Sequence, residues 1–322
     1  MIAMNKEYYF SRTPRQIGLE NSVEDLYEEK ERLLPASLKK EWVVFPSKQT
    51  ILQHLDDILT PGMFESYPAR TSLNATSEDI ALACAIYGAV SIAESQRILT
   101  YDMIPLLEYA KKYDKPGVIV RQKCLRGFVL GAVNVGRDWM IPADAPYVDY
   151  RQKTNETEKK AFDAKPSRTE SRKNKDYYLM KTPRQVGYEC TEEQLKQDLK
   201  NLVPERLQNR WQLFGNLKVI LKRLNTIQTP DKYESIIEKK NLLNISALEM
   251  AIASTIHCAL VVVEARKTLF YNMMTLTEYA HKIGKNPDVV RQKCLRGNVE
   301  GATKVGTMWY IPQNTNYDGR EV

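Results

Sequence analysis

Two long apolar stretches dominate the hydrophobic pattern of the chain. One fills most of residues 77–99 and the other occupies 247–265, and each is apolar on nearly every side of a helix. Ser77 is a candidate N-cap for the first of them. A helix with this pattern is buried on most sides. The pattern therefore predicts two core helices, each being either the core of its own domain or a surface that packs against its counterpart or a second chain.

Charged amphipathic segments precede both apolar stretches. Segments 23–34 and 195–203 have helical spacing and stop near prolines. Thr13-Pro14 and Thr182-Pro183 combine an N-cap residue with a proline at the first helical position, which is a helix-start signal. Residues 8–98 and 177–268 are therefore predicted to be mainly helical.

After each apolar stretch comes a compact pattern of short elements. The elements predicted first are a helix at 103–113, a turn at 114–117, a second helix at 118–125 that ends at Gly127, and strands at 128–135 and 138–141 hinged at Gly136. The same pattern returns at 274–311, with its hinge at Gly306. The predicted unit is a helix, a tight turn, a helix and a two-stranded wing.

The chain is an internal duplication. The offset is 169 residues and becomes 170 after an insertion near 67–73, and 24 of the 42 positions in 101–142 are identical in 271–312. The period is too long for a solenoid repeat. The predicted fold is mainly α with small β wings, as a tandem duplication of a helical subdomain plus a winged helix-turn-helix. The predicted parts are helical subdomain 1–99 and winged segment 100–147 (together repeat 1), charged linker 148–176, and helical subdomain 177–269 and winged segment 270–322 (together repeat 2).

Composition excludes several classes of protein. The chain has 322 residues, 43% hydrophobic and 27% charged, with five cysteines and none in a CxxC pair. These values predict a globular protein without a disulfide framework or zinc finger. No signal peptide or membrane span is predicted. We therefore expect a soluble, cytoplasmic and nucleoid-associated protein that does not engage a membrane.

Positive charge is concentrated in the two winged segments. The formal net charge is +7, and windows 101–142 and 271–312 each contribute +3. An excess gathered in two short windows suggests an anionic partner met at two places, although two solvated helical faces would give the same count.

The second helix of each winged segment has the residues expected of a helix that lies in the major groove of DNA. Val120 and Cys124 can anchor one side, which leaves basic and amide side chains on the other. Arginine can fork onto guanine and glutamine onto adenine, while a wing tip can reach phosphate or the minor groove. Trp139 and Trp309 are expected to pack the wing onto the helices. The candidate DNA-binding residues are Arg121, Gln122, Lys123, Arg126, Asn134 and Arg137 in repeat 1, and Arg291, Gln292, Lys293, Arg296 and Lys304 in repeat 2.

These motifs resemble the winged helix-turn-helix modules of the excisionase and MerR-like superfamily. The resemblance rests on Leu-x-Glu-Tyr-Ala, Val-Arg-Gln-x-Cys-x-Arg-Gly and Val-Gly-x-x-Trp-x-Ile-Pro, and it covers about 50 residues of each repeat. Short tails of such modules are matched by Pro146, Asp149 and Arg151, and by Asp318 and Arg320. The resemblance implies duplex DNA binding through the second helix and the wing. The helical subdomains match no family that we recognise.

The repeats differ around the shared helix. Val118, Phe128, Leu130, Asn134 and Arg137 become Asp288, Asn298, Glu300, Lys304 and Thr307. We expect similar base preferences but tighter binding by repeat 1, because the acidic residues of repeat 2 weaken its attraction for phosphate.

Enzymatic interpretations are poorly supported. No HExxH, paired CxxC or phosphate-loop motif occurs, so we expect no catalytic residues, no cofactor and no metal. Cys124 and Cys294 are either redox-sensing or structural thiols. Arg15 and Arg184, with the glutamine that follows each, either bind a phosphate at a helix N-terminus or form structural salt bridges.

The sequence therefore predicts a DNA-binding protein that reads two half-sites, as a transcriptional or replication regulator of a mobile element. Half-sites would be inverted and roughly 10 bp apart if the repeats pack by a pseudo-two-fold, or direct and variably spaced if they are independent. One alternative is an excisionase-like architectural factor in recombination. Another is a protein-interaction module on a winged fold that does not bind DNA. The helical subdomains are candidates for contacts with a second chain or another protein.

Overall fold

Helices make up most of the chain in this computed structural model, which describes residues 5–40, 48–66, 73–135, 138–148, 175–240, 245–299, 301–305, 308–315 and 317. Two three-stranded antiparallel sheets form the β-structure of these residues. The prediction of a mainly α fold with small β elements is confirmed. Residues 149–174 of the predicted linker lie outside the described residues.

The two repeats have most of their helices and strands in the same order. Repeat 1 contains α1 (Lys6–Phe10), α2 (Pro14–Glu20), α3 (Val23–Leu33), α4 (Lys48–Gln53), α5 (Ser77–Thr100), β1 (Met103–Pro105), α6 (Leu106–Lys112), α7 (Gly117–Leu125), β2 (Val133–Val135) and β3 (Asp138–Pro142). Repeat 2 contains α8 (Lys175–Met180), α9 (Pro183–Glu189), α10 (Glu192–Leu202), α11 (Arg210–Leu213), α12 (Leu217–Leu221), α13 (Asp231–Lys240), α14 (Ala247–Leu269), β4 (Met273–Thr275), α15 (Leu276–Lys282), α16 (Pro287–Leu295), β5 (Thr303–Val305) and β6 (Met308–Pro312). Single 3-10 turns lie at Ala36–Leu38, Pro61–Phe64 and Glu205–Leu207.

The two Thr-Pro signals begin α2 and α9, as predicted. The Thr13 hydroxyl accepts a hydrogen bond from the Gln16 amide at 3.3 Å, and the Gln16 side chain accepts one from the Thr13 amide at 3.0 Å. Thr182 and Gln185 form the same reciprocal pair. Each pair satisfies two amides that the first turn of a helix leaves without partners. The local sequence alone therefore fixes where these helices start.

The long helices α5 and α14 are core elements, each packed closely against a short helix of its own repeat. A Cβ at Gly18 of α2 would lie 2.4 Å from the Ala89 carbonyl oxygen of α5. A Cβ at Gly187 of α9 would lie 2.9 Å from the Ala259 carbonyl oxygen of α14. Only glycine allows the two backbones to approach so closely. The predicted burial of both apolar stretches is confirmed.

One of these helices reaches the length and apolarity of a membrane span, which the sequence reasoning did not predict. The segment Ala247–Leu269 has 23 residues, and the mean hydropathy of its most apolar window is 1.6. However, 78% of that window is buried inside the protein. The apolar surface of this helix is therefore mostly covered by the rest of the protein, as in a core helix.

The chain divides into two compact units, and each unit takes segments from both repeats. Unit 1 comprises residues 1–99 and 265–322, and unit 2 comprises residues 100–264. The boundaries lie near those predicted for the subdomains, but the grouping is different. The helical part of each repeat is grouped with the C-terminal part of the other repeat rather than with its own.

In unit 1 a buried arginine joins the two exchanged segments. The side chain of Arg15 is 1% exposed, and its Nε and Nη2 donate to the two carboxylate oxygens of Asp56 at 2.6 and 3.0 Å. The other donors reach the carbonyl oxygen of Leu269, at the end of α14, and that of Tyr271, the latter at 2.8 Å. The guanidinium is thus satisfied by a structural salt bridge and two carbonyls, which is the second of the two roles considered for this residue.

The matching arginine of unit 2 has a neutral partner instead. Arg184 is fully buried, and its Nε donates to Oδ1 of Asn225 at 2.6 Å. Both Arg184 and Asn225 donate to the Tyr101 carbonyl oxygen, at 3.0 and 3.1 Å. Asn225 occupies the position that Asp56 has in repeat 1. Burial lowers the pKa of Arg184 to about 10, because its charge is desolvated.

The exchange predicts that cutting the linker will not separate the repeats. A protease site placed within 149–174 would give two fragments, and each unit would still need both of them. We expect the cleaved chain to elute as a 1:1 complex in size-exclusion chromatography and to separate only in denaturant. Elution of two independent folded fragments would contradict the exchange.

Arg15 has an aspartate partner and Arg184 an asparagine partner, so exchanging these two residue types should change stability in opposite directions. Asp56→Asn leaves a buried charge without its carboxylate and should destabilise the protein by about 2 kcal/mol. Asn225→Asp gives Arg184 the carboxylate that Arg15 has in repeat 1 but removes the hydrogen bond from Asn225 to the Tyr101 carbonyl. Because Arg184 also donates to that carbonyl, as Arg15 does to Tyr271, the gained ion pair should outweigh the loss and raise the midpoint of thermal unfolding by a few degrees. The control is Asp57→Asn, which removes an exposed pair with His54 and should change stability by less than about 0.5 kcal/mol. A lower midpoint for Asn225→Asp would contradict this account.

Candidate nucleic-acid interface

The C-terminal segment of each repeat folds around a three-stranded sheet. In repeat 1 the strand order is β1-β3-β2, with Ile104 opposite Ile141 and Asn134 opposite Trp139. Strands β4, β6 and β5 have the same order and register in repeat 2. The sequence predicted only two strands, because residues 103–105 were assigned to the following helix. They form β1 instead, since they pair with the end of β3 and Pro105 begins α6 as its N-cap.

A tight turn sets the angle between α6 and α7. Asp114 has a φ of +50°, and the Lys115 amide donates to the Ala110 carbonyl oxygen at 2.9 Å. In repeat 2 the same turn uses Gly284 at +66°. Helix α7 ends before Gly127, whose φ of +73° is the left-handed stop that the sequence predicts. The turn and the preceding helix α6 thus hold α7 in one orientation on the sheet.

One side of α7 is buried and anchors the helix. Val120 and Cys124 are 0% and 3% exposed, and they pack with Tyr109 and Ile141. Val290 and Cys294 anchor α16 in the same way. Trp139 and Trp309 pack against these clusters, as expected from the sequence. The anchored side predicted from the spacing of Val120 and Cys124 is confirmed.

The opposite side of both helices is exposed and basic. At these two helices, the exposed residues of the predicted set are Arg121, Gln122, Arg126, Arg291, Gln292 and Arg296. Arg121 makes no ion pair or hydrogen bond within the part of the chain that the structure describes. Arg291 instead pairs with Asp288, with 3.1 Å between Nη2 and Oδ1. Because Val118 stands at that position in repeat 1, the arginine there is available to an external acceptor.

Two of the three lysines in the predicted set, Lys123 and Lys293, contact tyrosines of the chain instead of standing free on the helix face. The Lys123 ammonium sits 4.4 Å from the centre of the Tyr147 ring and donates to the Val148 carbonyl oxygen. The Lys293 ammonium sits 4.1 Å from the Tyr317 ring centre. These contacts tie the tail of each C-terminal segment to its helix. Sequence reasoning missed both tyrosines, although each follows its lysine at the same distance along the chain.

The predicted wing residues are only partly described. Asn134 lies on β2 and is exposed. Lys304 lies on β5, and its side chain is outside the described residues, as is the whole of Arg137. The tail residues Asp149, Arg151, Asp318 and Arg320 also lie outside the described residues.

The cysteines and the buried histidine have structural environments. Burial raises the pKa of the Cys124 thiol to about 12 and that of Cys294 to about 11, although basic residues neighbour both in sequence. Nε2 of His257 lies 2.8 Å from the Leu207 carbonyl oxygen, and burial lowers the pKa of this imidazole. In repeat 1 the corresponding residue, Tyr87, donates a hydrogen bond from its hydroxyl to the carbonyl oxygen of Leu38 at 2.8 Å. These thiols are therefore structural rather than reactive.

No protein-family model, no curated protein and no solved structure matches the chain. Among the described residues, no group of three or more His, Cys, Asp or Glu side chains is placed to hold a metal ion. The chemistry that remains is that of two exposed helix faces carrying arginine and glutamine. Such faces can form bidentate hydrogen bonds with a planar or anionic partner.

The thiol environments predict slow alkylation. In native protein at neutral pH, Cys124 and Cys294 should react with iodoacetamide at least about 100-fold more slowly than in denaturant, because neither a thiolate nor access is present. Peptide mass analysis after timed quenching measures both sites. Rapid native labelling of either cysteine would restore the redox interpretation.

Proposed function

We propose that the chain is a sequence-specific, double-stranded DNA-binding protein that reads two half-sites with α7 and α16. In this proposal each C-terminal segment is a winged helix-turn-helix, and the two repeats arose by tandem duplication. The observation that carries the proposal is the exposed Arg-Gln face of both helices, held opposite a buried Val-Cys anchor.

The chemistry of this face suits the major groove. An α-helix fits the groove, where arginine binds the O6 and N7 of guanine and glutamine binds the N6 and N7 of adenine. The surrounding windows each add a net charge of +3, which attracts phosphate. Lys123 and Lys293, held against tyrosines, contribute to this field but are not expected to read bases.

Two reading faces on one chain favour a role that needs two adjacent half-sites. We propose transcriptional or replication control on a mobile element, in the cytoplasm and on the nucleoid, in line with the superfamily that the motifs resemble. Linking two sites covalently raises the effective concentration for the second contact, so affinity exceeds that of one site alone. Neither reading helix is expected to work in an isolated repeat, because each compact unit contains segments of both repeats.

The test is fluorescence-anisotropy binding of the intact chain to mixed-sequence duplex DNA across a salt series. We expect affinity to fall steeply with salt, as counterions are released. Arg121→Ala and Arg291→Ala should each weaken binding to selected sites by about tenfold, with the larger loss at Arg121, because Arg291 is already paired. The double variant should lose more than either single variant.

The matched control is Arg206→Ala. It removes an exposed arginine from a 3-10 turn that is about 80 residues away in sequence from both α7 and α16. Its affinity should equal that of the parent chain. Weak, salt-insensitive binding by the parent chain, or equal losses in all variants, would defeat the proposal.

A protein-interaction role is the second candidate, and one observation favours it. Leu107, Leu125 and Leu295 are 75%, 60% and 58% exposed on the C-terminal segments. Where exposed apolar side chains form a contiguous patch, they mark a surface that contacts another protein. A partner protein that binds equally well to the double arginine variant would support this role.

A further inference from the structure

Repeat 1 exposes two neighbouring apolar side chains where α7 begins. Leu107 of α6 is 75% exposed and Val118 of α7 is 73% exposed. A Cβ on Gly117, the residue before Val118, would lie 3.2 Å from a methyl carbon of Leu107. Leu107 therefore lies beside the residue that precedes Val118 at the N-terminal end of the helix, and we call these two exposed side chains the apolar pair.

Val118 of the apolar pair lies on the proposed reading face of α7, and Leu107 of α6 lies beside the start of that helix. Residues three, four and seven positions apart share a face of a helix, so Val118 lines up with Arg121, Gln122 and Leu125. Val120 and Cys124 are buried on the other side. The first residues of a helix in the major groove are those that meet base edges. Val118 is therefore among the first side chains that a base edge would meet.

Repeat 2 has different chemistry at the same two places. Thr277 stands where Leu107 is, and Asp288 stands where Val118 is. The Asp288 side chain is 80% exposed and pairs with Arg291. Helices α7 and α16 have the same length and the same buried anchor. At these two places the repeats therefore differ in what they present outward.

We propose that the apolar pair of Leu107 and Val118 packs on the 5-methyl group of a thymine in the half-site of repeat 1, and that repeat 2 has no such preference. The thymine methyl is the apolar group that base edges present in the major groove. The neighbouring exposed side chains Arg121, Gln122 and Arg126 suit the charged and polar remainder of the groove better than the apolar surface of a protein partner. This inference rests on the proposed DNA binding.

The experiment uses the intact chain and two random duplex libraries, one made with thymine and one with deoxyuridine, which lacks only the methyl. Selection from the thymine library should enrich a thymine in one half-site. Replacing that thymine by deoxyuridine in the selected duplex should weaken binding about fourfold, the effect expected of one buried methyl-sized group. The selection made with deoxyuridine should lose the base preference at that position.

Substitutions between the repeats assign the effect to the apolar pair. Val118→Asp should bring the affinity ratio of thymine to deoxyuridine close to one, and Leu107→Thr should reduce it. Asp288→Val should create a thymine preference in the other half-site. All three positions are exposed, so thermal unfolding should be unchanged and a change in the ratio is not a folding defect.

The outcomes separate the two levels of the proposal. Salt-dependent binding with equal affinity for thymine and deoxyuridine duplexes overturns the methyl contact and leaves DNA binding standing. A ratio that persists in Val118→Asp overturns the assignment to the apolar pair. Absence of salt-dependent binding to either duplex defeats the DNA-binding proposal itself.

Discussion

A buried guanidinium in each unit joins the segments that the two repeats exchange. Arg15 and Arg184 leave water completely, which costs several kcal/mol unless every donor finds an acceptor. Each finds a side chain of its own repeat and, from the other repeat, the carbonyl of Tyr271 or of Tyr101. A carbonyl at a helix end is an acceptor that the helix itself leaves free. Hydrogen-bond satisfaction, as well as apolar packing, therefore holds the exchanged segments together.

Some features follow directly from local sequence. The capping boxes at Thr13 and Thr182 and the stop at Gly127 involve partners within a few residues, so local sequence predicts them. The anchor of Val120 and Cys124 follows from their spacing on one side of a helix, although the residues it packs against lie farther along the chain. Strand β1 was missed because its partner lies in β3, close to 40 residues away along the chain. Pairing across that distance is decided by tertiary contacts that periodicity does not record.

Sequence reasoning also could not predict that the helical part of each repeat is grouped with the C-terminal part of the other. Two repeats with matching contacts, such as those of Arg15 and Arg184 with a tyrosine carbonyl, can pair each helical part with either C-terminal part. Domain swapping of this kind uses the same contacts whichever chain segment supplies them. The lysine contacts with Tyr147 and Tyr317 were missed for a related reason, since a basic residue on a helix is normally assigned to solvent or ligand.

The repeats keep their framework and vary their surface, and the two kinds of position have different energetic consequences. Changing Val120, Cys124 or a close-packed glycine would open a cavity or force two backbones apart, at a cost of about 1–4 kcal/mol. Changing Val118 to the aspartate of repeat 2 alters an exposed side chain and costs little stability. Sequence change at the exposed positions of α7 and α16 can therefore alter the surface that one half of the protein presents while the framework, and the other half, stay as they are.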